Sequence, residues 1–372
     1  MDQPGVLSDR MIAAMIERGR ISADSTIAPE QVQPASLDLR LGATAYRVRA
    51  SFLPGRGRTV AQRLPDFTMH RIDLSRGAVL EKGCVYVVPL LERLRLPADM
   101  TAAASAKSSI GRLDLLCRVI TDQGEEFDRV PRGYEGPLYV EICPGSFSVV
   151  VSPGQLLTQI ILRIGDTVLD DSDLQALHAR DPIVDGTPVI SGGLGFSVDL
   201  RPGAGGSGGT GSGSGGGGAL VGYRAKPHAG VIDLSKIGAY AAADFWEELR
   251  TDAGWIILDP GAFYILVSRE AISIPPTHAA EMAPYLAMAG EFRVHYAGFF
   301  DPGFGHRGAG GSGSRGVLEV RCHEAPFVLE HGQVVGRLVY ERMAEPPARL
   351  YGAALNSSYQ GQGLRLSKHF RR

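Results

Sequence analysis

Leu80-Glu81-Lys82-Gly83-Cys84-Val85-Tyr86 returns later in the chain as Leu258-Asp259-Pro260-Gly261-Ala262-Phe263-Tyr264, an offset of 258 minus 80, or 178 residues. Later landmarks keep that offset: Pro97 falls on Pro275, Glu141 on Glu319, and Gly154-Gln155 on Gly332-Gln333. Several matches in one register mark an internal duplication. Within each copy the segments are short β-branched or aromatic runs set between Gly and Pro, such as Cys84 to Leu90, Phe147 to Val151, Ile160 to Ile164 and Phe263 to Val267. That pattern reads as an all-β fold. Helical stretches are few, at Asp9 to Arg18, Asp173 to Ala179 and Asp244 to Arg250, each opened by an acidic residue that suits a helix N-terminus. They are expected as appendages on a β core.

The start of the unit also recurs, at a shorter spacing: Ser36-Leu37-Asp38-Leu39-Arg40-Leu41-Gly42 resembles Ser197-Val198-Asp199-Leu200-Arg201-Pro202-Gly203. Copy two therefore begins before residue 197, and the division expected is 1–166 for copy one, 167–349 for copy two and 350–372 for a C-terminal segment. The Gly- and Ser-rich run 203–218 has the composition of a flexible linker, yet this alignment makes it a loop inserted within copy two, after its first strand. Gly308 to Gly316 is similarly a loop tip.

With 372 residues, 44% of them apolar, the chain has enough material for two domains with full cores. A formal charge of −2 supplies no general field for polyanions, which argues against a nucleic-acid partner and requires any phosphate site to be a local arrangement. The N-terminal stretch lacks the apolar core of a signal peptide and no 18-residue apolar run occurs, so a cytoplasmic protein without a membrane partner is expected. Cys84, Cys117, Cys143 and Cys322 form no Cys-x-x-Cys and read as reduced, buried thiols. Trp246 and Trp255 read as packing residues, and the scattered histidines receive no role.

Ser105-Ala106-Lys107-Ser108-Ser109-Ile110-Gly111-Arg112 gathers two cations and neighbouring hydroxyls in one turn, a composition suited to phosphate oxygens. It lacks the spacing of a Walker A loop and, on composition alone, is equally a solvated polar turn.

Val32-Gln33-Pro34-Ala35-Ser36-Leu37-Asp38-Leu39-Arg40-Leu41-Gly42, the segment from Lys107 to Arg112, the turn Asp301-Pro302-Gly303-Phe304 and Tyr359-Gln360-Gly361-Gln362 together resemble the dCTP deaminases, in the same order along the chain. The resemblance touches both halves. It implies two tandem distorted β-barrel or jelly-roll domains of the dUTPase-like kind, a homo-oligomer, and hydrolysis of dCTP to dUTP and ammonia. It also implies roles for residues of this chain: phosphate binding by Lys107, Ser108, Ser109 and Arg112; base and sugar binding near Asp301; closure over the nucleotide by Tyr359 and Gln362; and acid/base work by Glu319 or Glu141. A single glutamate can move both protons of a deamination when burial raises its pKa. The His-x-Glu and Pro-Cys-x-x-Cys signature of zinc deaminases is absent from the sequence, so a zinc-independent route is expected, with Mg2+ accompanying the triphosphate.

Each copy keeps only part of this apparatus. The offset places Lys107, Ser108, Ser109 and Arg112 opposite Tyr285, Leu286, Ala287 and Gly290, which cannot grip phosphate, while copy one carries an altered hairpin from Asp128 to Tyr134. A composite site follows: copy one offers the Lys107–Arg112 turn, and copy two offers Asp301, Glu319 and the C-terminal lid. The alternatives are dUTPase or dual deaminase and dUTPase activity, and a nucleotide-sensing regulator without turnover.

Overall fold

The computed structural model describes residues 3–201, 218–284, 292–295, 298–352 and 359–371. Strands make up 43% of the chain and helices 12%, so the all-β reading holds. Copy one holds a sheet ordered Gly5–Val6, Leu156–Ile164, Met100–Ala106, Arg129–Val130, with Leu37–Arg40 also pairing to Leu156–Ile164. A second sheet runs Thr68–Asp73, Thr44–Val48, Val85–Arg95, Glu135–Pro144, Leu115–Thr121, with Ile21–Ala23 added along Val85–Arg95. In copy two the corresponding sheets are Leu194–Ser197, Val334–Arg342, His278–Pro284, Phe299–Phe300, and Trp246–Thr251, Ala219–Ala225, Phe263–Ile272, Ser314–Cys322, Phe292–His295.

The duplication is visible in these bounds. Adding 178 to Met100–Ala106 gives His278–Pro284, and adding it to Leu156–Ile164 gives Val334–Arg342. The central strands Met100–Ala106, Leu156–Ile164 and Phe263–Ile272 are buried on both faces along most of their length, whereas the second half of Val85–Arg95 alternates between buried and more exposed residues. One apolar cluster gathers Leu37, Leu39, Val88, Val140 and Ile160, and another gathers Val198, Ile265's neighbour Leu266, Leu318 and Leu338.

The copies interlock. Val6 bridges Met343 in parallel, Ile232–Asp233 pairs in parallel with Val149–Val151, and Arg163 donates to Glu341 through Nε at 2.6 Å. Arg163 and Glu341 are themselves 341 minus 163, or 178, residues apart, so equivalent positions of the two copies pair across the junction.

Three expectations are corrected. Among the described residues the strands lie in six sheets, closer to separate blades than to tandem barrels. Sheet edges are covered by the other copy, as at Val149–Val151, and need no closure of a sheet on itself. The helix expected at Asp244 to Arg250 is a single turn, Ala242–Phe245, followed by the strand Trp246–Thr251, which pairs antiparallel with Ala219–Ala225. Trp255 is 47% exposed rather than packed. The helices at Asp9–Glu17 and Asp171–Arg180 form as expected, capped by Ser8 and Asp170. A further helix, Val60–Phe67, is announced by the Thr59 and Gln62 capping box, which the sequence reading passed over. Most of the Gly-rich run 203–218, and the segment Tyr285 to Gly290, lie outside the described residues. No helix among the described residues is long and apolar enough to cross a membrane.

Candidate active site

The strand Met100–Ala106 ends in a tight turn, with Lys107 extended and Ser108–Gly111 helical. This turn lies against the strand Ser314–Cys322 of copy two. A Cβ at Gly111 would stand 2.3 Å from Oε2 of Glu319, so only glycine lets the turn approach the carboxylate so closely. Arg321 lies two positions along the strand, on the same face as Glu319, and forms an ion pair with Asp114 at the end of the turn. Asp114 also accepts from Ser146 Oγ at 2.7 Å and holds φ at 56°, a left-handed conformation uncommon for a non-glycine residue. The Asp114–Arg321 pair thus fixes the turn over Glu319.

Glu319 is 5% exposed, and its Oε2 has no hydrogen-bond partner among the described residues. Burial pushes its carboxyl well above the usual range; Arg112 opposes this and Asp114 adds to it. Glu141, its equivalent in copy one, is buried too, but it is engaged by Arg118 of the neighbouring strand through Nη2 and, at 3.2 Å, through Nε. The two glutamates therefore differ: one is held by a cation of its own copy, the other faces the turn of the opposite copy.

Asp301 is buried and accepts from the backbone nitrogen of Ala35, in copy one, at 3.2 Å. Burial raises its carboxyl to about 7, against the Ala35 hydrogen bond. Asp128 in copy one's hairpin is likewise pushed up to about 7 by burial, but it accepts from Val119 of its own copy at 2.7 Å. Lys107 forms an ion pair with buried Asp38. Ser108 is exposed at the start of the turn, whereas Ser109 is buried.

The C-terminal segment crosses this site. The Tyr359 ring lies 3.8 Å from the Arg112 guanidinium carbon. Arg112 donates through Nη1 to the Arg365 carbonyl and through Nη2 to Gln362 Oε1, each at 3.0 Å. Gln362 Nε2 donates to the Arg315 carbonyl at 3.0 Å, and Gln360 Oε1 accepts from Gly305 N at 3.0 Å. One expectation changes here. Arg112, 3% exposed with both terminal nitrogens taken, anchors the closing segment beside Glu319 and is not a cation open to phosphate. The closing segment is anchored at its end, where Phe370 is 4% exposed in the copy-one core against Phe245 and Trp246.

The structure therefore brings Lys107, Ser108, Ser109, Arg112, Asp301, Glu319, Tyr359 and Gln362 into one neighbourhood and leaves Glu141 at a separate position with Arg118. Asp38, Asp114 and Arg321 were missed as site residues. Asp38 stood in the quoted Ser36-to-Gly42 motif, but the Asp114–Arg321 pair joins residues too distant in sequence for any local signal. No group of three His, Cys, Asp and Glu side chains converges as metal ligands among the described residues.

Comparison with known proteins gives one answer along the whole chain. Residues 3–166 match the family model described as the 2'-deoxycytidine 5'-triphosphate deaminase N-terminal domain, and residues 170–370 match that of its C-terminal domain. A dCTP deaminase of Halorubrum lacusprofundi is 29% identical over 163 residues, covering 42% of this chain and 75% of the relative. A protein of Methanosphaera stadtmanae named dCTP deaminase, dUMP-forming, is 27% identical over 163 residues, covering 42% of this chain and 78% of the relative. The crystal structure of 2'-deoxycytidine 5'-triphosphate deaminase from Agrobacterium tumefaciens superposes with a TM-score of 0.85 at 53% identity, covering 92% of this chain and 99% of that one.

Proposed function

The chain belongs to the 2'-deoxycytidine 5'-triphosphate deaminase family, and on that premise we propose that it hydrolyses dCTP to dUTP and ammonia at one composite site built by its two copies. The observation that carries the proposal is the Glu319 carboxyl of copy two, buried with an unpartnered oxygen against Gly111 of copy one's Lys107–Arg112 turn. Glu319 is the acid/base. It takes a proton from the attacking water as the oxygen bonds to C4 of cytosine, and passes that proton to ring N3. The remaining hydroxyl proton goes by the same carboxyl to the exocyclic nitrogen, the C4–N bond breaks, ammonia leaves and the uracil carbonyl remains. A carboxyl raised by burial suits a group that must both accept and release a proton near neutral pH.

In this reading Lys107 and Ser108 face the phosphates, Ser109 supports the turn, Asp301 sets the nucleoside end, and Tyr359 and Gln362 close the site by gripping Arg112. The chemistry uses no zinc. Mg2+ would accompany the nucleotide and would neutralise part of the triphosphate charge, with few protein ligands.

Relatives carry two names, one adding dUMP formation, and product analysis separates them. Incubation with dCTP and Mg2+, followed by chromatography, is expected to give equal amounts of ammonia and dUTP without pyrophosphate. Pyrophosphate and dUMP would make the protein bifunctional, and bound dCTP released unchanged would make it a sensor.

A further inference from the structure

Copy one's turn is seated on copy two's strand by an ion pair whose two ends are each tied into a different copy. Asp114 follows the Lys107–Arg112 turn, its nitrogen donating to the Gly111 carbonyl at 2.8 Å, and it is 1% exposed. Its carboxylate accepts from Ser146 Oγ at 2.7 Å, and its carbonyl accepts from Gly145 N at 2.8 Å. A Cβ at Gly145 would stand 2.3 Å from Asp114 Oδ2, so glycine there lets copy one close around the acid. Arg321 reaches the same carboxylate through Nη2 and, at 3.4 Å, through Nε, while its Nη1 donates to the Gly261 carbonyl of copy two at 2.6 Å. The duplication does not repeat this cation: at 321 minus 178, or 143, copy one carries Cys143. A turn docked on copy one's strand would meet a thiol in place of the guanidinium.

The pair stands next to the reacting carboxyl. Arg321 shares a face of its strand with Glu319, and Asp114 shares the turn with Gly111, whose Cβ position lies against Glu319 Oε2. Of the charges on the turn, Arg112 favours the ionised form of Glu319 and Asp114 disfavours it. Across the sheet, Phe263–Ile272 sets apolar Ile265 opposite Glu319, and Phe292–His295 sets His295 opposite by register. From the closing segment, Tyr359, Gln362 and Arg365 meet Arg112. Arg321 balances the charge of Asp114, so removing either partner changes the field at Glu319, and in opposite senses.

Resting on the deaminase reading above, we propose that Asp114 and Arg321 are positioning residues for the reaction, which seat copy one's turn on copy two's strand and tune the charge environment in which Glu319 moves protons. Without the cation, the negative charge of Asp114 faces Glu319 uncompensated and opposes its ionisation. Without the acid, the carboxyl of Glu319 ionises more readily. Neither residue touches the substrate; both act through Glu319.

The test measures dCTP turnover against pH in the full chain for Arg321→Met, Arg321→Lys, Asp114→Asn and the double variant Asp114→Asn with Arg321→Met, with melting temperatures alongside. Asn tolerates the left-handed backbone that Asp114 holds. Because Glu319 must accept a proton from water, turnover rises with pH as its carboxyl ionises. Arg321→Met is expected to move that rise up by about one pH unit, and Asp114→Asn to move it down by about as much. Above the rise each single variant is expected to lose roughly 10²-fold in turnover, the cost of a misplacement of about 1 Å, and the double variant no more than either, since the two act as a unit. Arg321→Lys should return the rise toward its wild-type position. The double variant leaves no buried charge unpaired and is expected to fold even where Arg321→Met does not, with its rise moved down as in Asp114→Asn. A rise that stays in place in every folded variant, or losses that add in the double variant, would overturn the proposal and leave the pair a structural contact. Either result is read against an active wild type, whereas failure of the deaminase reading appears as no ammonia from the wild type itself.

Discussion

Glu319→Gln is expected to lower turnover of dCTP by roughly 10²- to 10⁴-fold, the loss typical of a positioned general acid/base. Nucleotide affinity should change little, because Gln keeps the size and shape of the side chain and removes only its ability to carry a proton. Glu141→Gln should cost far less in turnover. The difference rests on surroundings and not on residue type. Each carboxylate has one oxygen without a partner among the described residues, but Glu141 is bound by Arg118 within copy one, whereas Glu319 lies under Gly111 of the opposite copy with its carboxyl pushed up by burial. Ammonia release under saturating dCTP, with dissociation constants measured in parallel, reads both variants. An inactive Glu141→Gln beside a fully active Glu319→Gln would place the chemistry in copy one alone.

The second large effect is on stability. Phe370→Ala removes a ring that packs edge-on against Phe245 at 5.5 Å and Trp246 at 5.9 Å between centroids. Truncating a buried Phe to Ala costs about 3–5 kcal/mol. At roughly 2–4 °C per kcal/mol for domains of 150–250 residues, the melting temperature should fall by about 6 °C or more. Deleting residues 359–372 should lower it further and abolish turnover, since the deletion also takes away Tyr359, Gln362 and the Arg365 carbonyl that hold Arg112. A deletion that left melting unchanged would show the segment to be dispensable for the fold and only a cover for the site.

The second prediction rests on contacts that the sequence does not announce, for a physical reason. Lys368-His369-Phe370-Arg371-Arg372 is one aromatic residue among five, flanked by basic side chains, and reads as a solvated tail. Its burial depends on Tyr240, Phe245 and Trp246, which belong to copy two and fold onto the copy-one core. The same distance effect hid Asp114 and Arg321. By contrast, the repeat was legible because several strand-turn landmarks returned at one spacing, and the structure places His278–Pro284 and Val334–Arg342 at that spacing. Asp244 to Arg250 misled because an acidic start suits a helix, while pairing with Ala219–Ala225 draws Trp246–Thr251 into the sheet. The turn Lys107–Arg112 was legible as a phosphate-like composition, but Arg112's role was not. Its two partners come from the far end of the chain, and no local pattern announces them.

The central claim is that two incomplete copies build one nucleotide site per chain. Calorimetric titration of Glu319→Gln protein with dCTP and Mg2+ counts those sites directly, because the nucleotide is not consumed. One nucleotide bound per chain, more weakly when Lys107 is replaced by Met, is the expected result; two nucleotides per chain would show that each copy carries a site of its own.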